Sequence, residues 1–339
     1  MRIITRLLII SLLMIFLIAP TAHAQIEKTA QAGMTFLNVG VGARAAGMGG
    51  SFITQDKDIS SIFWNPAGIG SIDRGAFCLE RNMWFADIIQ NSAAIAYSFG
   101  KYGVLGVNMV TMDYGTFYGT EISIASDLFF DYEETGEFTI DEYYVGLTYS
   151  RMISDRFLVG GQVKYVYQDL YENTIQKGLY PEKEVDNIVD VFAFDFGTHY
   201  KTGFHSLTFA MCARNFSKNI QFPEQQEDFS LPLIFTIGVS MDVLDLVNSI
   251  DEQHSLLLSF DGIHPRDYEE KASFGAEYGF MNLMFLRAGY KWNFSAEDLS
   301  FGAGFNYDLG SGLSIRVDYA FTNMKYFDPV HRFSIAGTF

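Results

Sequence analysis

The chain has 339 residues, 49% of them hydrophobic and 16% aromatic, and a formal net charge of −17. An acidic excess of this size excludes nucleic acid as a partner, because phosphate binding needs a basic surface. Two cysteines, Cys78 and Cys212, are too few for a disulfide framework in so long a chain, and sequence leaves open whether they pair.

Residues 1–24 read as a secretory signal peptide. Arg2 and Arg6 form a positive start, Leu7 to Ala19 is apolar, and Ala22-His23-Ala24 supplies the small-x-small pattern. Cleavage is expected between Ala24 and Gln25. The apolar run falls short of the roughly 20 residues of a spanning helix, and no cysteine follows the cleavage point to carry a lipid. No later stretch is apolar enough for a membrane helix. The mature chain is therefore a soluble exported protein or a membrane β-barrel, since only helices and closed barrels satisfy the backbone inside lipid.

Residues 25–75 do not alternate. They are rich in Gly and Ala, then briefly helical: Asp58 caps a short helix, Ile59, Ile62 and Phe63 line one side, and Pro66 and Gly68 stop it. Gly47, Gly49 and Gly50 permit tight turns. About fifty compact residues ahead of a barrel predict a plug, or hatch, in the lumen. In it Asn65 satisfies backbone groups at the turn and Trp64 packs on the inner wall. Gly40-x-Gly42-x-x-Ala45 matches a loose dinucleotide fingerprint, but no crossover helix follows to complete a βαβ unit.

From residue 76 to 339 the pattern is strict alternation. Leu313, Ile315, Val317, Tyr319 and Phe321 share one face; Ser314, Arg316, Asp318 and Ala320 share the other. Fourteen such segments lie near 76–86, 91–99, 104–114, 139–152, 157–168, 189–200, 206–216, 231–242, 254–261, 270–280, 283–294, 298–309, 313–321 and 331–339. Most reach the roughly 9–11 residues of a tilted membrane strand, longer than the 5–6 typical of a soluble β-sandwich. Links after even-numbered strands are mostly short, such as Met281-Asn282 and Gly310-Ser311-Gly312. Those after odd-numbered strands are mostly long, such as 115–138 and 169–188. Short turns at one end and long loops at the other is the layout of an outer-membrane barrel. The predicted fold is all-β: a 14-stranded antiparallel transmembrane β-barrel with a small N-terminal luminal hatch. Phe333, Ile335 and the terminal Phe339 share a face of the last strand, like the signal read by the outer-membrane assembly machinery of Gram-negative bacteria.

The stretch 36–69 resembles the N-terminal signature of the PorV/PorQ family of Bacteroidetes-type outer-membrane proteins, a branch of the FadL-like barrels. The residues that carry the resemblance are Gly42-Ala43-Arg44-Ala45, Gly47-Met48-Gly49-Gly50 and Trp64-Asn65-Pro66-Ala67-Gly68. It implies residence in the outer membrane, among its lipids, and one of two roles. The first is an accessory of type IX protein secretion that engages exported proteins or secretion machinery. The alternative is FadL-like passive transport of hydrophobic small molecules. A mainly structural barrel is a third possibility.

No constellation predicts catalysis or a cofactor. His199, His205, His254, His264 and His331 sit in no recognisable motif, and no His or Cys spacing suggests zinc. The expected luminal set mixes signs: Gln162, Lys164, Asp195, Arg214, Glu277, Arg287, Lys291, Arg316 and Asp318. Buried charges need partners, so these are expected to hold the hatch by ion pairs. Loop 115–138 carries Glu121, Asp127, Asp131, Glu133, Glu134 and Glu137 with no Lys or Arg, which reads as a solvated face. Its Phe117, Tyr118, Phe129, Phe130 and Tyr132 predict packing against a partner protein or the barrel mouth.

Overall fold

The computed structural model describes residues 32–123, 131–170, 173–175, 183–185, 187–221, 228–246, 253–310 and 312–339. The expected signal peptide with its Ala24–Gln25 cleavage point, and Asp127, Phe129 and Phe130 of the acidic loop, lie outside them.

Alternation in the sequence becomes a two-sided wall. In chain order the strands are β1 (Gly75–Met83), β2 (Ile89–Ser98), β3 (Val104–Asp113), β4 (Phe117–Ser123), β5 (Asp131–Phe138), β6 (Asp141–Ser154), β7 (Phe157–Asp169), β8 (Asn173–Ile175) and β9 (Lys183–Val185). There follow β10 (Ile188–Lys201), β11 (Thr208–Phe216), β12 (Ile234–Asp242), β13 (His254–Pro265), β14 (Lys271–Phe280), β15 (Met284–Trp292), β16 (Glu297–Gly310), β17 (Leu313–Met324) and β18 (Val330–Thr338). All but β4, β5, β8 and β9 form one closed antiparallel barrel of fourteen strands, as the periodicity predicts. β1 closes on β18, Ala76 opposite Thr338 through Met83 opposite His331. Phe339 extends the seam: its N–H and carbonyl pair with the carbonyl and N–H of Gly75. The remaining four strands make two hairpins inside segments the sequence leaves as plain loops. Each closes within a single long link, so no alternation with the barrel marks it. Phe117 stacks on Phe138 within the first hairpin, ring centroids 5.4 Å apart, so its aromatic partner is local.

The outer face is apolar and exposed: Leu79, Ile95, Val107, Leu147, Phe196 and Leu286 are typical. Water would make so wide an apolar belt prohibitive; lipid is the solvent that fits it. Cys78 and Cys212 are both buried and unpaired.

Residues 34–72 are mostly buried and lie against the inner wall. A short helix, Ala43–Gly47, packs on β15–β18, and a 3-10 turn, Pro66–Ser71, packs on β6, β7 and β10. The contact is so close that wall positions must lack side chains. A Cβ on Gly289 of β15 would overlap the backbone of Met48 and Gly49, and one on Gly197 of β10 would overlap the Asn65 side chain. Replacing Gly289 by Val is therefore expected to unseat the helix while leaving the wall ladder able to form. Heat-modifiable gel migration should persist while protease cuts within 43–50 more readily. Unchanged protection would refute this contact.

Candidate functional site

Two elements place the charges at the centre of the lumen. The helix Ala43–Gly47 carries Arg44. The 3-10 turn Ile59–Phe63 is capped by Asp58, whose Oδ1 accepts from Ser60 N at 3.0 Å. Opposite them, alternation aims Glu277, Arg287, Arg316 and Asp318 inward from β14, β15 and β17. The six groups close a ring of alternating sign. Arg44 pairs with Asp58 at 2.6 Å, and Asp58 with Arg316 at 2.8 Å. Arg316 pairs with Asp318 at 2.7 Å, and Asp318 with Arg287 at 2.7 Å. Arg287 pairs with Glu277 at 2.5 Å, and Glu277 returns to Arg44 at 2.6 Å. Three cations face three carboxylates, so the ring is neutral. Burial pushes the Asp58 carboxyl up, but Arg316 and Arg44 outweigh it and hold it well below the usual carboxylate range. Burial pulls Arg44 down, while Glu277 and Asp58 together raise it above an ordinary arginine.

A second set anchors the same segment to β10. Asp56 pairs with Lys201 at 2.5 Å. His199 Nε2 lies 2.7 Å from the Thr54 carbonyl, which can only accept, so Nε2 carries the proton. Asn65 is fully buried. Its Oδ1 accepts from Ala67 N at 3.0 Å, and its Nδ2 donates to Ile53 O at 2.8 Å and Thr198 O at 3.1 Å. Asp261 of β13 accepts from Phe52 N at 2.8 Å.

The expected residues of the segment fall into these contacts, with corrections at Pro66, Gly47, Gly68 and Trp64. Pro66 does not end a helix. The first turn stops at Phe63, and Pro66 opens a second one, where its missing N–H is no loss and Asn65 caps it. Gly47 does not turn the chain. It ends the helix, and its Cα faces the Cα of Gly302, where a Cβ would come within 3.1 Å; the turn is made by Gly49 and Gly50, at φ 65 and 79°. Gly68 stops no helix: it lies inside the turn Pro66–Ser71, where a Cβ would meet Gln55 O at 2.5 Å. Ala67 is fully buried, its carbonyl accepting from Ser150 Oγ at 3.0 Å. Trp64 packs within the segment more than on the wall: Nε1 donates to Val41 O at 2.8 Å, and its ring meets Phe52 edge-on at 6.2 Å. Among the described residues of the wall, only Arg214 stacks on it, at 5.3 Å. Phe333, Ile335 and Phe339 are all exposed. Asp58, His199 and the apolar run 36–41 escape the sequence reading as site residues, because nothing local marks them as facing the wall.

Toward the long-loop end the segment turns apolar side chains to a mixed, largely polar wall. A cavity of about 20 Å³ is lined by Phe36, Leu37, Val39, Val41 and Phe63 from the segment and by Val110 and Tyr144 from the wall, with Gln90, Lys164, Arg214 and Asn215. Lys164 is paired with Asp195 at 2.8 Å. Arg214 donates to Phe63 O at 3.1 Å. The cavity adjoins an interruption in the wall. β10 pairs with β7 from Ile188 onward, but with β11 only from Phe194. β11 bulges at Asn215, at φ 64°, and stops at Phe216. Among the described residues that follow, Ile220 and Leu231 are buried, and Ser230 O accepts from Gly33 N at 3.0 Å.

Wall and segment together define a membrane-spanning β-barrel whose lumen is filled by its own N-terminal residues. No protein-family model matches the chain, and no curated protein matches its sequence. Among solved structures it is similar to a Pseudomonas aeruginosa FadL homologue, at 14% identity over 88% of this chain and 97% of that one, with a TM-score of 0.51. It is also similar to the Pseudomonas putida toluene transporter TodX, at 12% identity over 92% and 98% of the two chains, TM-score 0.55. The CymD monoaromatic hydrocarbon channel gives 12% identity over 88% and 96%, TM-score 0.53. At such identities the likeness is one of fold.

Two outcomes follow from this geometry. Asn65→Ala removes a cap and strands two buried carbonyls, a loss of roughly 2–5 kcal/mol. It should loosen the segment, read as increased entry of detergent dyes or antibiotics into cells; unchanged permeability and stability would remove the role. Second, a depressed carboxyl stabilises the folded state above its unfolded pKa of about 4 and loses that contribution as pH falls toward its folded value. The Asp58 anchor should thus hold from pH 8 to about 5 and weaken below about 4. Trp64 emission in the Trp84→Phe, Trp292→Phe protein reports it; emission unchanged between about pH 5 and about pH 3 would contradict the assignment.

Proposed function

We propose that this chain is a passive outer-membrane channel for hydrophobic small molecules, closed at rest by residues 25–75 as a hatch. The observation that carries the reading is the cavity between the apolar side chains of residues 36–41 and the wall, set beside the interruption above β11. The named activities of the toluene transporter and the monoaromatic hydrocarbon channel that share the fold favour it. The alternative, an accessory of type IX secretion, draws on the N-terminal resemblance, and none of the reported structural neighbours adds to it.

The cavity as it stands holds about one water molecule, whereas benzene occupies a cavity of about 150 Å³. Passage therefore requires the 34–41 run to move. Its attachments suit such motion: apolar contacts, Trp64 Nε1 on Val41 O, and Gln90 Nε2 on Val39 O at 3.3 Å. The charged half of the hatch stays clamped by the ring. A solute entering from the long-loop side meets this gate, and the β10 edge at 188–193 offers a sideways exit into lipid.

Filling the cavity tests the proposal. Val41→Trp should cut uptake of a hydrophobic fluorescent dye several-fold in cells expressing the protein, with heat-modifiable migration retained. Uptake equal to that of the native chain, together with recovery of secretion components from outer membranes, would overturn transport in favour of the accessory role.

A further inference from the structure

The outer wall carries a feature that solute transport does not use. A groove of about 520 Å³ opens on the lipid-facing side of β1–β3, β17 and β18. Ala93, a small residue between larger ones, forms its floor, and Leu79, Met109, Val317, Phe333 and Ile335 form its sides. A cavity of this volume is in the range that holds a small ligand, and its apolar sides match an acyl chain.

The upper end of the groove is polar. Arg81, Asn91 and Thr111 stand side by side, since Arg81 is opposite Asn91 and Asn91 opposite Thr111 in the ladder. The same row continues through Phe333 to Tyr319 on one side, and through Tyr143 to Tyr167 on the other. Those aromatics contact one another, Tyr319–Phe333 at 5.2 Å and Tyr143–Tyr167 at 5.0 Å. A row of aromatic rings on a barrel's outer face marks the membrane–water boundary. Three polar residues interrupt that girdle directly above the groove. Arg81 is exposed, and among the described residues its guanidinium meets only Asn91 Oδ1, at 3.3 Å, with no carboxylate in reach. A cation without a counter-ion at headgroup height, over a chain-sized apolar groove, is complementary to one kind of occupant.

We propose that this groove binds an anionic phospholipid, its acyl chain between β1 and β3 over Ala93 and its phosphate on Arg81, with Asn91 and Thr111 as further donors. The site lies outside the barrel and is independent of the luminal gate. A bound lipid here would cover the seam where β1 closes on β18.

The test uses the full chain reconstituted in phosphatidylcholine vesicles with trace spin-labelled lipid. Spin-labelled phosphatidylglycerol should be immobilised about fivefold more strongly than spin-labelled phosphatidylcholine, the factor one cation provides at an anionic surface. Arg81→Gln should bring the two lipids to parity. Ala93→Phe, which fills the floor, should weaken immobilisation of both. Parity in the native protein, or a preference that survives Arg81→Gln, overturns the proposal. If Arg81→Gln does not give a heat-modifiable barrel, Ala93→Phe decides: immobilisation equal to that of the native protein overturns the proposal, and a loss supports it.

Discussion

The ring of Arg44, Asp58, Arg316, Asp318, Arg287 and Glu277 is the constraint around which the lumen is arranged. A charge sealed inside a lipid-embedded barrel is costly unless it is paired. Each member here touches two of opposite sign, and two of the six arrive from outside the wall. Removing the N-terminal segment would leave two wall residues of the ring, Glu277 and Arg316, each short of a partner. The segment therefore has one place to sit, and one register in which it can sit there. Buried ion pairs are weak evidence for stability as such, since desolvation offsets much of their attraction. What a closed ring supplies is selection among positions: a shift of a few ångströms would strand several charges together.

Backbone contact depends on that placement. The helix and turns come close enough to the wall that Gly160, Gly197, Gly275 and Gly289 face main chain or Asn65 directly. Strand interiors ordinarily disfavour glycine, and its presence there often marks a close approach by another backbone. Here the approaching backbone is the chain's own. The electrostatic ring sets where the segment docks; the missing side chains allow it to dock flush, with Asn65, Asp261 and Ser150 taking up the polar groups that face the wall.

Much of the wall was legible because a barrel strand in lipid has a strict period of two. The fourteen segments found by alternation are the fourteen strands, with ends shifted by a few residues. Even one side of the ring could be read: Glu277 and Arg287 face each other because the turn at 281–283 fixes the register of β14 on β15. Arg316 and Asp318, two apart on one strand, must share its luminal face. The hatch was less legible. Its turns are set by contacts with residues hundreds of positions away, so Pro66 looked like a terminator when it is an opener, and Gly47 like a turn when it is a spacer against Gly302. Asp58 was read as a cap, which it is, but its second oxygen serves Arg44 and Arg316. The hairpins β4–β5 and β8–β9 were missed because they pair only with themselves.

The luminal contents divide by chemistry along the barrel axis. From Arg44 through Asn65 the segment is held by ion pairs and by hydrogen bonds to buried partners, each directional and costly to leave unmade. From Phe36 to Val41 it is held mainly by apolar contacts, which are non-directional and can be exchanged for contacts with an apolar solute at little net loss. Motion should therefore concentrate at the apolar end, and the glycines Gly40 and Gly42 stand at the join between the two halves. Gly42, at φ 98°, adopts a backbone conformation that few other residues tolerate. A hinge at that point would let one half of the segment yield while the ring keeps the other in register. The cavity, the bulge at Asn215 and the end of β11 at Phe216 lie together, beside the part of the segment held mainly by apolar contacts.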